Sequence, residues 1–271
     1  MIPQKRIGRL PLTFCRLEIL GSQQKDRPDW NFDMSDPEYL HDWIFLSMDR
    51  SAMANFVGAP SPESSVQEER ERSLKPMLFL LLEDTIREIL EEQTMTHNNT
   101  TVNLRLAEPD DTDTIAELVQ GLAIYEKEPD AVNVTAEDYY TDGFNSSEPL
   151  FYCILADVTT NDETSSEPTT TTAAMGLFYF GHDLKDGPFL YLEDLFCHEA
   201  YRKQGIGTEI MKHLAKISLA LDCSKFVWVA LDWNTPALTF YKKIGATMQT
   251  DLKITRYCGS DIEAFAASGN R

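Results

Sequence analysis

Residues 191–207 read YLEDLFCHEAYRKQGIG and decide the fold, because they join an apolar strand to a basic turn that opens a helix. Two adjacent acids, Glu193 and Asp194, interrupt the apolar letters of 189–197. After Gly207 the apolar residues recur at helical spacing. A strand that passes through glycines into an amphipathic helix is typical of a domain that mixes strands and helices.

Strands and helices alternate from residue 102 onward. The hydrophobic spacing predicts strands at 102–106, 151–157, 174–180, 189–197, 225–231 and 254–258. It predicts helices from 109, from 135 to about 143, at 207–221, at 236–244 and at 261–267. The order β-α-α-β-β-β-α-β-α-β predicts an α/β fold, with a mixed central sheet flanked by helices.

The first hundred residues differ from the rest in composition. Proline, serine and charged residues are frequent there, and residues 58–63, GAPSPE, have the composition of a linker. An amphipathic helix at 75–93 is the strongest element, and it either packs on its own domain or binds a partner. We therefore predict a partly irregular, helical N-terminal extension over 1–100 and an α/β domain over 101–268, with a low-complexity hairpin insertion at 158–172.

The charge and the metal-ligating residues exclude several classes of function. A formal net charge of −20 argues against nucleic acid, because neutralising phosphates needs clustered lysine and arginine. An acidic surface attracts cations such as polyamines, or it serves solubility alone. The five cysteines form no CxxC pair and the five histidines no HxxxH or HExxH spacing, so we expect reduced thiols and no metal site.

The apolar patterning also bears on location. The longest apolar run, 77–82, is far shorter than the roughly 20 residues of a membrane span, so we expect no membrane contact. The basic N-terminus lacks the apolar core of a secretory signal. An organellar transit segment stays an open alternative, and a cytoplasmic protein is the default expectation.

The glycine-containing turn after the strand predicts an anion site. Gly205 and Gly207 let a ligand approach the backbone closely, and the first amides of the following helix have no partner within it. Such amides suit a pyrophosphate, to which Arg202 and Lys203 add positive charge. A purely structural turn is the alternative, since neither GxxxxGK[ST] nor GxGxxG is present.

Four polar residues near this turn suit proton transfer or ligand binding. Glu193 and Asp194 should point to opposite faces of their strand unless a bulge intervenes, and a buried carboxylate with a raised pKa can act as a general base for an amine. An ion pair or a solvated strand end is the alternative. Tyr241 either packs in the core or, if Phe240 packs instead, donates a phenolic proton. Asn234 either caps the following helix or anchors a ligand.

Taken together, five motifs resemble the GNAT superfamily of acetyl-CoA-dependent N-acetyltransferases over about 102–267. They are IYEKE at 124–128, YLEDLF at 191–196, RKQGIG at 202–207, LDWN at 231–234 and FYKKIGA at 240–246. Within the superfamily the chain looks most similar to the diamine (spermidine/spermine) and thialysine/ornithine acetyltransferases. The resemblance implies the GNAT fold, acetyl-CoA as the acetyl donor and a homodimer.

The resemblance also implies roles for individual residues. The implied catalytic residues are Glu193, as a water-mediated base, and Tyr241, as the proton donor to the departing thiolate. The implied cofactor-binding residues are Leu195, Phe196, Cys197, Arg202, Lys203, Gln204, Gly205, Ile206, Gly207, Thr208, Asn234 and Thr235. The implied substrate-binding residues are Tyr125, Glu126, Asp183, Lys185, Asp194, Val227, Trp228 and Val229.

One loop departs from the pattern of the polyamine enzymes. Residues 181–189 read GHDLKDGPF, and Lys185 stands where those enzymes carry a tryptophan two residues after the aspartate. A cation there disfavours a polycation and can hold the carboxylate of an amino acid. The expected function is acetylation of a small primary amine, either a polyamine or an amino acid such as ornithine or thialysine. A protein or peptide N-acetyltransferase and a non-catalytic acyl-CoA-binding module are the alternatives.

Overall fold

A computed structural model describes residues 43–58, 75–91, 94–97, 100–146, 148–160, 168–252 and 254–268. The strands are β1 Trp43–Asp49, β2 Thr94–His97, β3 Thr100–Leu106, β4 Tyr152–Thr160, β5 Thr169–Asp183, β6 Gly187–Cys197, β7 Lys225–Leu231 and β8 Thr247–Gln249. The helices are α1 Arg50–Val57, α2 Lys75–Glu91, α3 Thr112–Tyr125, α4 Ala136–Tyr139, α5 Ile206–Ala220, α6 Thr235–Lys243 and α7 Ser260–Ala267.

One mixed sheet organises these elements, with the strand order β2-β3-β4-β5-β6-β7-β1-β8. The pairs β2–β3, β3–β4, β4–β5, β5–β6, β7–β1 and β1–β8 are antiparallel. The β6–β7 pair is parallel, so the chain must cross over between the two strands, and it does so through α5. The predicted α/β fold with a mixed central sheet is therefore confirmed.

The core lies on both faces of this sheet. The larger cluster contains buried residues of β1, α2 and α5, and the smaller one contains buried residues of α3 and α4. β6 contributes to both clusters, because Leu190 and Leu192 belong to the larger one and Phe196 belongs to the smaller one. Within the described ranges, no helix combines the length and the apolar character needed to cross a bilayer.

Residues before 101 contribute to the same sheet. β1 lies between β7 and β8, with Leu46 and Met48 almost fully buried. The apolar helix predicted at 75–93 is α2, and its Ile86 and Leu90 pack into the core, as the first of the two alternatives expected. A domain boundary near residue 100 stays a prediction, and most of the GAPSPE linker lies outside the described residues.

The predicted C-terminal strand and the predicted hairpin insertion differ in outcome. The strand predicted at 254–258 is wrong: these residues form no strand, and Ile254 and Tyr257 are exposed. After α6 the chain turns at Gly245, which has φ +91°, directly into β8, and β8 takes the place beside β1. The predicted insertion at 158–172 begins within the last residues of β4 and ends within the first residues of β5. Its middle part, 161–167, lies outside the described residues.

Candidate active site

A β-bulge in β6 sets the geometry of the site. Leu177 of β5 lies opposite Asp194 of β6, whereas the next residue, Phe178, lies opposite Leu192. Glu193 is therefore the extra residue of the bulge. An extra residue breaks the strict alternation of side chains, and both Glu193 and Asp194 line one pocket.

The pocket opens where β6 and β7 separate. Their parallel pairing ends at Leu192 and Trp228, although β6 continues to Cys197 and β7 to Leu231. Beyond that point, among the residues that the structure describes, the facing edges of β6 and β7 pair with no other strand. A pocket of about 780 Å³ lies there, within the usual range of roughly 300–1,000 Å³ for small-molecule sites.

Most of the residues implied by the resemblance meet in this pocket. Those that line it are Tyr125, Glu126, Glu193, Asp194, Leu195, Phe196, Cys197, Arg202, Lys203, Gly205, Ile206, Gly207, Thr208, Val229, Asn234 and Tyr241. The pocket also has lining residues for which no binding or catalytic role was predicted, namely Leu122, Glu199, Tyr201, Ala230, Leu231, Pro236, Ala237 and Phe240. The position of each is established, and its role stays a prediction.

The glycine turn places the start of α5 at the pocket. Gly205 is the N-cap residue of α5, with φ +91°, and within the described part of the chain this N-cap has no side-chain hydrogen bond, so the first amides of the helix lack a partner within it. Lys203 also has a positive φ, 64°, and successive amides in such a turn form a concave anion site. The helix dipole adds to it, so this end of the pocket is suited to phosphate groups.

Three carboxylates gather at the other end. Burial raises the pKa of Asp194 to about 7, and the negative charges of Glu193 and Glu126 contribute. Burial also raises the pKa of Glu126, with Glu128 adding to the effect. Glu193 is exposed as a residue, yet partial desolvation of its carboxyl raises its pKa, against a hydrogen bond with Tyr179 that lowers it. Carboxylates crowded in this way favour a bound cation.

Tyr241 supplies a phenol to the same pocket. It is 7% exposed, and its ring lies 5.2 Å from the rings of both Trp228 and Phe240. Burial raises its pKa, and the carboxylate of Glu126 raises it further. The hydroxyl therefore keeps its proton at neutral pH, as a proton donor must.

Polar contacts cross the mouth of the pocket. The Tyr125 hydroxyl donates to Asn234 Oδ1 at 3.0 Å, and the same oxygen accepts from the Ala237 amide at 3.3 Å, which caps α6. The Arg202 guanidinium carbon lies 4.7 Å from the Tyr125 ring centroid. Arg202 Nε donates to the Cys197 carbonyl at 2.8 Å. Asn234 therefore serves as a helix cap and also faces the pocket.

Six predicted site residues do not line this pocket. Asp183 and Lys185 lie at the turn between β5 and β6, where the Asp183 carboxylate accepts from Lys225 Nζ at 2.6 Å and from the Lys185 amide at 2.8 Å. Trp228 and Val227 are almost fully buried. The two remaining residues, Gln204 and Thr235, make local hydrogen bonds to the carbonyls of Ala200 and Trp233.

Comparison with known proteins identifies the class. Residues 120–246 match the acetyltransferase (GNAT) family. The thialysine N-epsilon-acetyltransferase of Bos taurus is 35% identical over 150 residues, which cover 55% of this chain and 86% of the relative. The spermidine/spermine N(1)-acetyltransferase-like protein 1 of Homo sapiens is 35% identical over 53% of this chain and 20% of its own length.

Among solved structures, an integron cassette protein of V. cholerae has a TM-score of 0.49 and 23% identity, over 62% of this chain and 98% of that one. The sequence matches carry the assignment: the chain belongs to the GNAT acetyltransferase family. It is an N-acetyltransferase, and what remains is which donor and which amine its pocket takes.

Proposed function

We propose that this protein transfers the acetyl group of acetyl-CoA to a primary amine of a small molecule. The observation that carries the proposal is the bulged and separated end of β6. It brings an anion-binding turn, a group of carboxylates and a buried phenol into one pocket. Acetyl transfer from a phosphorylated donor to an amine needs a site for the phosphates, a group that attracts and deprotonates the amine, and a proton donor for the leaving sulfur. The turn, the carboxylates and the phenol are suited to these three tasks.

The donor end fits acetyl-CoA by its chemistry. The free amides of the α5 N-terminus and the charge of Lys203 suit the pyrophosphate. The edge of β6 from Leu195 to Cys197 pairs with no described strand on the β7 side, so the amide-bearing arm of the donor can bind there as an added strand would. When bound, acetyl-CoA supplies an acetyl group on a thioester, and amides at this edge are suited to polarise its carbonyl.

The acceptor end fits an amine. The carboxylates of Glu126, Glu193 and Asp194 attract an ammonium group, and one of them must take its proton before the nitrogen can attack. We assign that step to Glu193, directly or through a water molecule, because the bulge sets it at the pocket rim. Tyr241 holds its proton at Oη and gives it to the leaving sulfur.

The acceptor class covers polyamines and amino acids with a side-chain amine. The named relatives support both, since their names refer to thialysine and to spermidine and spermine. Lys185 was predicted to bind the carboxylate of an amino-acid substrate. It lies at the β5–β6 turn and does not line the pocket. We also keep the homodimer and the cytoplasmic location as proposals, and sedimentation velocity of the full chain tests the first.

An amine panel tests the proposal. Purified protein with acetyl-CoA is mixed with spermidine, putrescine, ornithine or thialysine, and free thiol is measured. We expect thiol release above the amine-free control with at least one of them. Release only with a peptide bearing free amines would instead favour a peptide acetyltransferase. CoA binding by calorimetry without any thiol release would favour a non-catalytic binding module.

A further inference from the structure

Arg202 contacts the far side of the pocket although it begins the phosphate turn. Its Nε donates to the Cys197 carbonyl at 2.8 Å, on the edge of β6 that has separated from β7. Its guanidinium carbon lies 4.7 Å from the Tyr125 ring centroid and 5.9 Å from that of Phe196. The cation is therefore engaged by a neutral carbonyl and by aromatic faces.

These contacts continue across the pocket. Tyr125, at the C-terminal end of α3, donates its hydroxyl hydrogen bond to Asn234, and Asn234 caps α6. Three separate parts of the chain are thus joined: the segment after β6, the end of α3 and the loop between β7 and α6. We call this set of contacts the Arg202–Tyr125–Asn234 bridge.

We propose that Arg202 is a positioning residue that couples the donor and acceptor ends of the pocket by exchanging the bridge for the donor's phosphates. The inference rests on the proposed function, because it needs a phosphorylated donor between β6 and β7. Beyond the proposed function, the inference adds an energetic coupling between donor binding and acceptor binding, which a shared pocket does not by itself require.

The exchange follows from the relative strength of the contacts. A guanidinium binds phosphate through paired, charge-assisted hydrogen bonds, which are stronger than one bond to a neutral carbonyl. A cation over an aromatic ring at a partly exposed site contributes less still. In addition, a donor arm laid along β6 brings its own N–H groups to the edge where Arg202 now uses the Cys197 carbonyl.

The exchange changes the acceptor end through Tyr125. This residue directly precedes Glu126, one of the three pocket carboxylates. Its ring is held by Arg202, by the Asn234 hydrogen bond and by the Trp233 ring, whose centroid lies 6.3 Å away. Once Arg202 turns to the phosphates, the ring loses one of these three restraints and can move away from the pocket mouth to admit the amine. The donor therefore tightens acceptor binding, and by linkage the acceptor tightens donor binding by the same factor.

Calorimetry measures this coupling without turnover. CoA, which carries no acetyl group, serves as the donor probe, and spermidine and thialysine serve as acceptor probes. Acceptor Kd is measured with and without saturating CoA, and CoA Kd with and without saturating acceptor. For the wild type we expect about a five-fold tightening or more, equal in both directions.

The variants separate coupling from donor affinity. Arg202→Met keeps the aliphatic stem but removes the guanidinium, so the coupling factor should fall below about two-fold. Tyr125→Leu removes the ring and should abolish the coupling by a second route. Lys203→Met is the matched control: it removes a cation from the same turn and should weaken CoA while leaving the coupling factor at its wild-type value. Circular dichroism confirms that each variant is folded.

The outcomes distinguish the inference from the proposed function. Coupling retained in both Arg202→Met and Tyr125→Leu would overturn the inference, as would equal acceptor affinity with and without CoA in a wild type that binds both. In either case thiol release in the amine panel leaves the proposed function standing. A wild type that binds no CoA would overturn both.

Discussion

Two aspartates at opposite ends of the β5–β6 hairpin have opposite environments. Asp183, at the turn, accepts from Lys225 Nζ at 2.6 Å and from the amides of Lys185 and Asp186 at 2.8 and 3.3 Å. Chiefly through the hydrogen bond from Lys225, these contacts lower its pKa to about 2. Asp194, beside the bulge, is buried near other carboxylates, and its pKa is raised to about 7.

The two aspartates differ in whether the chain itself supplies a partner for their charge. The carboxylate of Asp183 already has a cation and two N–H donors from the chain itself, so it stabilises the turn without any ligand. The carboxylates around Asp194 repel one another, and a cation supplied from outside is what relieves that repulsion. Unfavourable local electrostatics that a ligand can relieve are expected at sites of binding and catalysis.

The largest expected effect concerns the bulge residue. Glu193→Gln keeps the shape of the side chain but removes the base, so kcat should fall by about 10²–10⁴-fold. In the wild type the rate should rise with pH as Glu193 loses its proton, at a pKa above that of an ordinary glutamate, and the variant should lose this dependence. Steady-state thiol release across pH measures the fall in kcat and the pH dependence.

The control is Glu263→Gln, since Glu263 is an exposed residue of α7. Near-wild-type turnover in Glu193→Gln would show that Glu193 is not the proton acceptor.

Removal of the phenol should have the next largest effect. Tyr241→Phe keeps the ring that packs on Trp228 and Phe240, so CoA affinity should change by less than about two-fold while kcat falls on the order of 10²-fold. Calorimetry and steady-state kinetics give the two quantities separately. The exposed Tyr257 provides a matched tyrosine-to-phenylalanine control. A kcat equal to that of wild type would show that another group protonates the leaving sulfur.

Asp194, the buried carboxyl group beside the bulge, should make the free energy of unfolding depend on pH. Its pKa is about 7 when folded and roughly 3.9 when unfolded, so the fold is most stable with respect to this group below about pH 4, and that stability is lost as the pH rises through 7. Asp194→Asn should therefore raise the free energy of unfolding by about 2–4 kcal/mol at pH 8, and much less at pH 4. Urea titrations at the two pH values measure this difference. Equal effects at both would contradict the raised pKa.

The aspartate at the turn should behave in the opposite sense and more weakly. Its lowered pKa means that Asp183 stabilises the fold above about pH 4, and that this contribution is lost as the pH falls toward 2. Asp183→Asn should cost on the order of 1 kcal/mol at pH 7, a typical net value for a hydrogen bond in a partly buried ion pair. A double-mutant cycle with Lys225→Met isolates the pair. A ten-fold rise in acceptor KM at constant kcat would instead support the acceptor-site role that the sequence predicted for Asp183.

The parts of the site that are close in sequence were predictable. The glycine turn, the acids of β6 and the start of α6 each lie within one short segment, and local glycine chemistry and periodicity are enough to identify them. Glu199 and Tyr201 also line the pocket and lie inside the same segment. Their place between β6 and α5 indicates that they lie near the pocket. Their residue types, however, did not indicate a binding or catalytic role.

The parts that depend on the register of distant strands were not predictable. Whether Glu193 and Asp194 share a pocket depends on how β5 pairs with β6, and alternation alone placed them on opposite faces. Similarly, Asp183 and Lys185 were assigned to the acceptor by resemblance, whereas the length of the β5–β6 hairpin carries them away from the bulge. No local pattern indicated that residues 43–49 form a strand beside β7.

That last strand has a consequence for how the chain folds. β1 is among the first described residues to be synthesised, yet its pairs, such as Met48 with Phe226, span most of the chain. Contacts between such distant residues slow folding, because the intervening chain must be ordered or looped before they form. On the ribosome, β1 has to wait unpaired until β7 emerges. Closure of the sheet around β1 is therefore expected to be a late and slow step, and the apolar strand is most open to aggregation before it.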